Sequence, residues 1–455
     1  MREQTVTSGK STKDWYLASF EVLEKNLNGD ASSDIQKIRK AAIIRFAELG
    51  FPTTRVEEWK YTDVSPITKI NFKTLHGVRT SQVTHNDLVR LGFSDFPSYH
   101  CTFIDGLFSP DHSLGSSKQT VRNLVRLPEG VKIGSLADAL KNDAGILLNH
   151  LTRYAHYDEN PFTALSTAFL YDGAFVFIPD GVIMDVPIHL MFISTTHEKE
   201  HVTHPRNLIV VGRNSQVKII ETYVTLANDT YFTNTVSEIV LGENAVVEHV
   251  KFQNESTKAF HIGSTYVQQS RSSNYTSHVI SMGGSLVRNN VFAVLDGEGA
   301  ESTLNGLYLG TDNQHIDNHT TIDHAKPHCN SHELYKGILN GKSKGVFNGK
   351  IKVRKDAQKT DAKQTNKNLV LSDNASVDTK PQLEIFANDV KCTHGATIGQ
   401  LDEEAIFYLR SRGVDLKKAR DMLIYAFAND VLSRISIEPL KEKLHIITHD
   451  RLEQS

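Results

Sequence analysis

One turn recurs along the chain. Gly212-Arg213-Asn214-Ser215-Gln216-Val217 is echoed 30 residues later by Gly242-Glu243-Asn244-Ala245-Val246-Val247. Looser echoes stand at Gly297-Glu298-Gly299-Ala300 and Ser372-Asp373-Asn374-Ala375. Each is a turn followed by a small residue that opens a strand. The β-rich runs between such turns include Ala174–Ile178, Leu208–Val211, Val217–Ile220, Glu238–Leu241 and Val246–Val250. A period of roughly 20–50 residues is what stacked β-coils produce. One coil cannot bury its apolar face alone, so neighbours stack and share a core. A β-sandwich also gives short strands and regular turns. Strands from Ala174 to Gly399 without a helix would, however, make an unusually large sandwich, so the pattern favours a β-helix.

Helical patterns flank this region. Asp34 is placed to cap a helix carrying Ile35, Ile38, Ala42 and Phe46, which Gly50 and Pro52 stop. Ser135 is placed to cap a second helix over Leu136–Leu151. Beyond Gly399, Asp402 caps a helix containing Ile406 and Leu409 that ends at Gly413. Asp415 caps the next, with Leu416, Ala419, Leu423, Phe427 and Val431 along one face. These two helices are expected to cover the open end of the coil stack or to offer a partner an amphipathic surface. The division expected is 1–155 helical and mixed, 156–400 β-helix core, and 401–455 helical.

Composition narrows the function. Across 455 residues, 39% are hydrophobic and 23% charged, a soluble globular balance. A net charge of −3 gives no broad attraction to nucleic acid. The three cysteines, 101, 329 and 392, are too scattered for a disulfide framework. Met1–Asp14 is polar and lacks an apolar core, so no secretory signal is expected, and no run approaches the roughly 18–20 apolar residues of a membrane span. A cytoplasmic protein is the expectation.

Gly341-Lys342-Ser343 resembles the end of a phosphate-binding loop, but Lys336 stands where that loop needs glycine; Gly9-Lys10-Ser11 fails likewise at Gln4. No nucleotide site is expected on this chain. Two clusters carry ligand-type side chains. His315, His319, His324, His328, Cys329 and His332 match no standard metal spacing, and solvated or structural roles are the plainer reading. In Val390-Lys391-Cys392-Thr393-His394-Gly395, Cys392 and His394 share one side of an extended strand. Thiolate and imidazole suit iron or a cluster. Two ligands do not fill a four-ligand site, so the rest would come from elsewhere.

Three stretches resemble the SufB/SufD family of iron–sulfur cluster assembly scaffolds. They are Pro52–Asp63; Ser331–Gly337 continuing through Val346–Ile351; and Ala357–Ala362, Asn368–Ser372 and Thr379–Gln400, ending at Phe407–Gly413. The resemblance is close over 330–430 and looser over most of the chain. It implies a right-handed parallel β-helix flanked by helical regions, and no independent enzyme activity. The partners implied are a SufB-like scaffold subunit and a SufC-like ATPase docked on 401–455, with a homodimer when the chain is isolated. His394 and Cys392 correspond to the family's interface histidine and its neighbouring thiol, beside a nascent iron–sulfur cluster or iron shared transiently with the partner. The SufB branch carries a cysteine within the segment matching Asp373–Pro381, where Ala375 stands here, and a glutamate where Gly395 stands. Both departures favour the D branch and a supporting ligand over the main thiolate. The alternatives are a carbohydrate-active β-helix enzyme and a metal-delivery protein built on His315–His332.

Overall fold

A computed structural model describes residues 11–26, 33–75, 83–93, 97–113, 127–195, 200–226 and 228–453. Met1–Lys10, on which the signal-peptide and first glycine-lysine readings rest, lie outside them.

The recurring turn is the corner of a parallel β-solenoid of about eight coils. Each coil gives one strand to each of two sheets. The first sheet runs through Ala174–Ile178, Arg206–Val211, Phe232–Leu241, Phe260–Gln269, Leu286–Leu295, His315–His324 and Lys344–Val353 to Ser376–Ile385. The second runs through Ile188–Ser194, Gln216–Thr225, Val246–Asn254, Asn274–Ser281, Glu301–Gly310, Asn330–Leu339 and Asp361–Val370 to Lys391–Gly399. Val217, Val247, Tyr275, Ser302, Ser331, Ala362 and Cys392 lie opposite one another in successive strands, so one coil takes 27 to 31 residues.

The corners explain the echoed sequence. Asn214 and Asn244 adopt left-handed φ of 55° and 56°, a conformation asparagine tolerates. The Asn244 side chain donates to Asn214 Oδ1 at 2.9 Å, tying one corner to the next. A Cβ at Gly212 would lie 2.5 Å from the Asp180 backbone nitrogen, so the coils stack this closely only on glycine.

Short of the last coil, most strands are covered on both faces, as parallel sheets favour. Inward residues such as Ile219, Val247, Val291, Ile322 and Tyr335 form the lumen core. The amino-terminal helices, Thr12–Asn26 and Ser33–Leu49, pack with Phe162 and Leu165 on the outer face of the first sheet, against Phe232, Phe260 and Leu286. The carboxy-terminal helices Leu416–Leu432 and Glu438–Glu453 lie on the outer face of the second sheet, against Phe252, Ile280, Leu307 and Ile338. They therefore flank the stack and leave its end open, contrary to the capping expectation. Burying that flank takes the apolar side chains Phe252, Ile280, Leu307 and Ile338 out of water.

Local corrections follow from packing. Asp34 lies inside the first turn of its helix and pairs with Lys37 at 3.1 Å instead of capping it. The 136–151 segment is two helices, Leu136–Asn142 and Ala144–His150, broken at Asp143, with Ser135 capping the first. Asp402 and Asp415 do cap their helices. The buried stripe of the second is Ala419, Ile424, Ala428, Val431 and Leu432; Leu416 is exposed. Tyr99–Ile104, in the mixed amino-terminal third, pairs in parallel with Ile188–Ile193 and extends the second sheet. Among the described residues no helix is long and apolar enough to cross a membrane.

Candidate functional site at the open end of the solenoid

Among the described residues each sheet ends in a strand with one unpaired edge, Ser376–Ile385 in the first and Lys391–Gly399 in the second. Such edges are templates for pairing with another chain. Around them Phe386 is 60% exposed and Ile398 54%, beside Ile385. This end is unlike the flanks, where helices cover the apolar side chains.

Register settles where the paired candidates point. Cys392 is opposite the buried Ala362 and His394 opposite the buried Gln364, so both belong to the inward rows of the last coil. The strand alternation thus brings the two to one face, as the spacing predicts. Cys392 is half-buried against Ala362, Ala387, Leu383 and Val390. Burial and the nearby Asp361 carboxylate push its thiol up, so it stays protonated at neutral pH. His394 is exposed. Ala375 is buried at the entry to the other edge strand.

The six-residue histidine cluster is dispersed instead. His315 and His319 project outward from their strand, and Thr62 Oγ1 lies 2.9 Å from His315 Nε2. His324 points into the lumen and contacts Ser331 Oγ at 2.9 Å. The Cys329 thiol is buried, 3.2 Å from the Gly297 carbonyl, and His332 is exposed. Alternation places His319 and His324 on opposite faces, so these side chains do not converge. Gly341-Lys342-Ser343 is a coil corner, where the buried Ser343 hydroxyl donates to the Gly310 carbonyl at 3.1 Å.

What the sequence reading missed is the work of Pro52–Asp63. Trp59 is buried, and the Arg288 guanidinium lies 3.8 Å from its ring centroid. Arg288 Nη1 donates to the Glu58 carbonyl at 2.7 Å and to Asp317 Oδ2 at 3.0 Å. The Thr62 hydroxyl donates to the same carboxylate oxygen at 2.6 Å. His319 Nδ1 lies 3.4 Å from Glu58 Oε2, and Lys344 donates to the Tyr61 carbonyl at 2.9 Å. The segment is a clasp across four successive strands of the first sheet, reaching the edge strand through Glu57 and Lys380. No local pattern announced it, because its partners lie more than 200 residues away.

Fold and site together define a β-solenoid platform, flanked by helices, with two ligand-type side chains on a free edge. The sequence matches the family described as "SUF system FeS cluster assembly, SufBD core domain" over residues 192–427, and "SufBD protein N-terminal region" over 10–190. An iron–sulfur cluster assembly SufBD family protein of Synechocystis sp. is 35% identical, over 92% of this chain and 91% of the relative. The iron–sulfur cluster assembly protein SufD of Escherichia coli is 32% identical over 87% and 88%. Protein ABCI7, chloroplastic, of Arabidopsis thaliana is 30% identical over 94% and 88%. The chain belongs to the SufBD family of the SUF iron–sulfur cluster assembly system. That membership displaces the carbohydrate-active alternative.

Proposed function

We propose that this chain is a non-catalytic scaffold subunit, which pairs through its open end with a SufB-like subunit and contributes His394, with Cys392 as auxiliary, to a nascent cluster between them. The observation that carries the reading is the free edge of Lys391–Gly399, with both side chains on the inward face of an uncovered coil. A partner adding strands there meets main-chain donors and acceptors and the apolar Phe386 and Ile398. The cluster is cargo, and its remaining ligands come from the partner. The raised thiol of Cys392 suits a secondary role, whereas a neutral imidazole offers iron a nitrogen without first losing a proton. In the absence of that partner the same edges would serve a second copy.

In this reading residues 1–155 brace the coils, 156–400 are the core with Tyr99–Ile104 lent to it, and 401–455 dock a SufC-like ATPase. The helix Glu403–Ser411 supports the docking role: Phe407 is 75% exposed beside the exposed Tyr408, while only Ile406 of that helix is buried. With no phosphate-binding loop in its sequence, the chain positions the ATPase and does not hydrolyse nucleotide itself.

The test is cluster reconstitution on the assembled complex, followed by absorbance and iron content. His394→Ala removes an exposed side chain, so assembly should survive while cluster yield falls sharply, and Cys392→Ala should have a smaller effect. Normal yield from the His394→Ala complex would remove His394 from the site.

A further inference from the structure

We propose that Gln364, held in place by Glu333, is a positioning residue for His394, setting which imidazole nitrogen carries the proton. The proposal rests on the reading of His394 as a ligand.

Leu304, Glu333, Gln364 and His394 occupy one inward row of the second sheet. Neighbouring strands lie about 4.8 Å apart, so side chains in a row stack in order along the solenoid. Glu333 and Gln364 are buried, and Gln364 Nε2 donates to Glu333 Oε2 at 2.6 Å. Above about pH 7, where the buried Glu333 is ionised, its carboxylate only accepts, so this bond turns the amide nitrogen of Gln364 toward Glu333 and leaves its carbonyl free. That carbonyl, Oε1, is buried and has no hydrogen-bond partner among the described residues. The next side chain of the row is the exposed His394, which makes no bond to that oxygen in this structure; a turn of its ring toward Gln364 would offer the matching N–H.

The opposite wall is shaped for this amide. Gly349 faces it across the lumen, and a Cβ there would lie 2.2 Å from Gln364 Nε2. Any other residue at 349 would push the amide from its place. Glycine, carboxylate and amide therefore define one orientation for Gln364, with its acceptor left for the open end.

The chemistry needs such a group. A histidine ligand binds metal through one nitrogen while the other donates to an acceptor that fixes tautomer and ring angle. His394 is exposed on a strand that pairs, among the described residues, on one side only, so a restraint on its ring has to come from within the coil. Gln364 Oε1 would take the N–H and leave the other nitrogen facing the partner subunit.

The experiment uses the full chain with 15N-labelled histidine at pH 8, the His394 signals being assigned by their loss in His394→Ala. In the wild type one tautomer should predominate. Gln364→Met keeps the volume and removes the acceptor, so both tautomers should appear. A merely structural Gln364 would not move this balance, and equal balances in the two proteins would overturn the proposal. Should Gln364→Met fail to fold, Glu333→Met tests the same point, because it removes the acceptor that orients the amide; an unchanged balance there would overturn it equally. Normal cluster yield from the His394→Ala complex would end the ligand reading, whereas the tautomer comparison in the isolated chain judges the positioning by itself.

Discussion

Glu57, in the amino-terminal clasp, forms an ion pair with Lys380 on the edge strand of the first sheet, 323 residues further along the chain. The pair is exposed, so it adds little stability by itself. Its place matters more, because it joins the clasp to the strand proposed to meet the partner.

The buried part of the clasp should carry the energy. Arg288→Ala leaves the fully buried Asp317 carboxylate without its guanidinium and Trp59 without the cation over its ring. Removing one partner of a buried pair costs about 3–5 kcal/mol. Urea unfolding should show a loss of that size. A loss below about 1 kcal/mol would mean that Asp317 is satisfied without Arg288.

Acid should loosen the same clasp. The hydrogen bond with His319, aided by the charges of His319, Lys350 and Arg288 against the opposing effect of burial, holds Glu58 at about 2 from an ordinary 4.5. A depressed carboxyl gives stability that is present above 4.5 and lost as pH falls through about 2. The Glu58 side chain is half-exposed, so the effect should stay below about 1 kcal/mol. Melting temperatures of wild type and Glu58→Gln should differ at pH 6 and converge toward pH 2. A constant difference would remove Glu58 from the acid response.

Glu333 should act in the opposite direction. Burial pushes its carboxyl from 4.5 up to about 7, against the hydrogen bond from Gln364. With the folded value above the unfolded one, stability is full below 4.5 and declines as pH rises toward 7. The shift corresponds to about 3 kcal/mol. Glu333→Gln should therefore be more stable than wild type at pH 8 and lose that advantage at pH 4. Parallel pH profiles for the two proteins would contradict this.

Docking of the ATPase should be tested by point substitution. Deleting 402–455 would strip the cover from Phe252, Ile280, Leu307 and Ile338 and confuse lost docking with lost folding. Phe407→Ala removes an exposed ring and should leave the melting temperature unchanged. If the ring is an interface anchor, affinity for the ATPase should fall roughly tenfold or more, as measured by titration calorimetry. Unchanged affinity would place the docking surface elsewhere.

Much of this architecture was legible in the sequence. The Gly212 and Gly242 turns mark coil corners because close stacking there excludes a Cβ, and alternation around Cys392 and His394 is a local property of any strand. Asp402 and Asp415 announce helix starts because capping acts within three residues. Tertiary structure decided the rest. That Trp59 meets Arg288, that Glu333, Gln364 and His394 form one row, and that the last helices flank the stack depend on register between residues far apart in sequence. Short-range pattern fixes which way a side chain points from its own strand; only the stacking of coils decides what it points at.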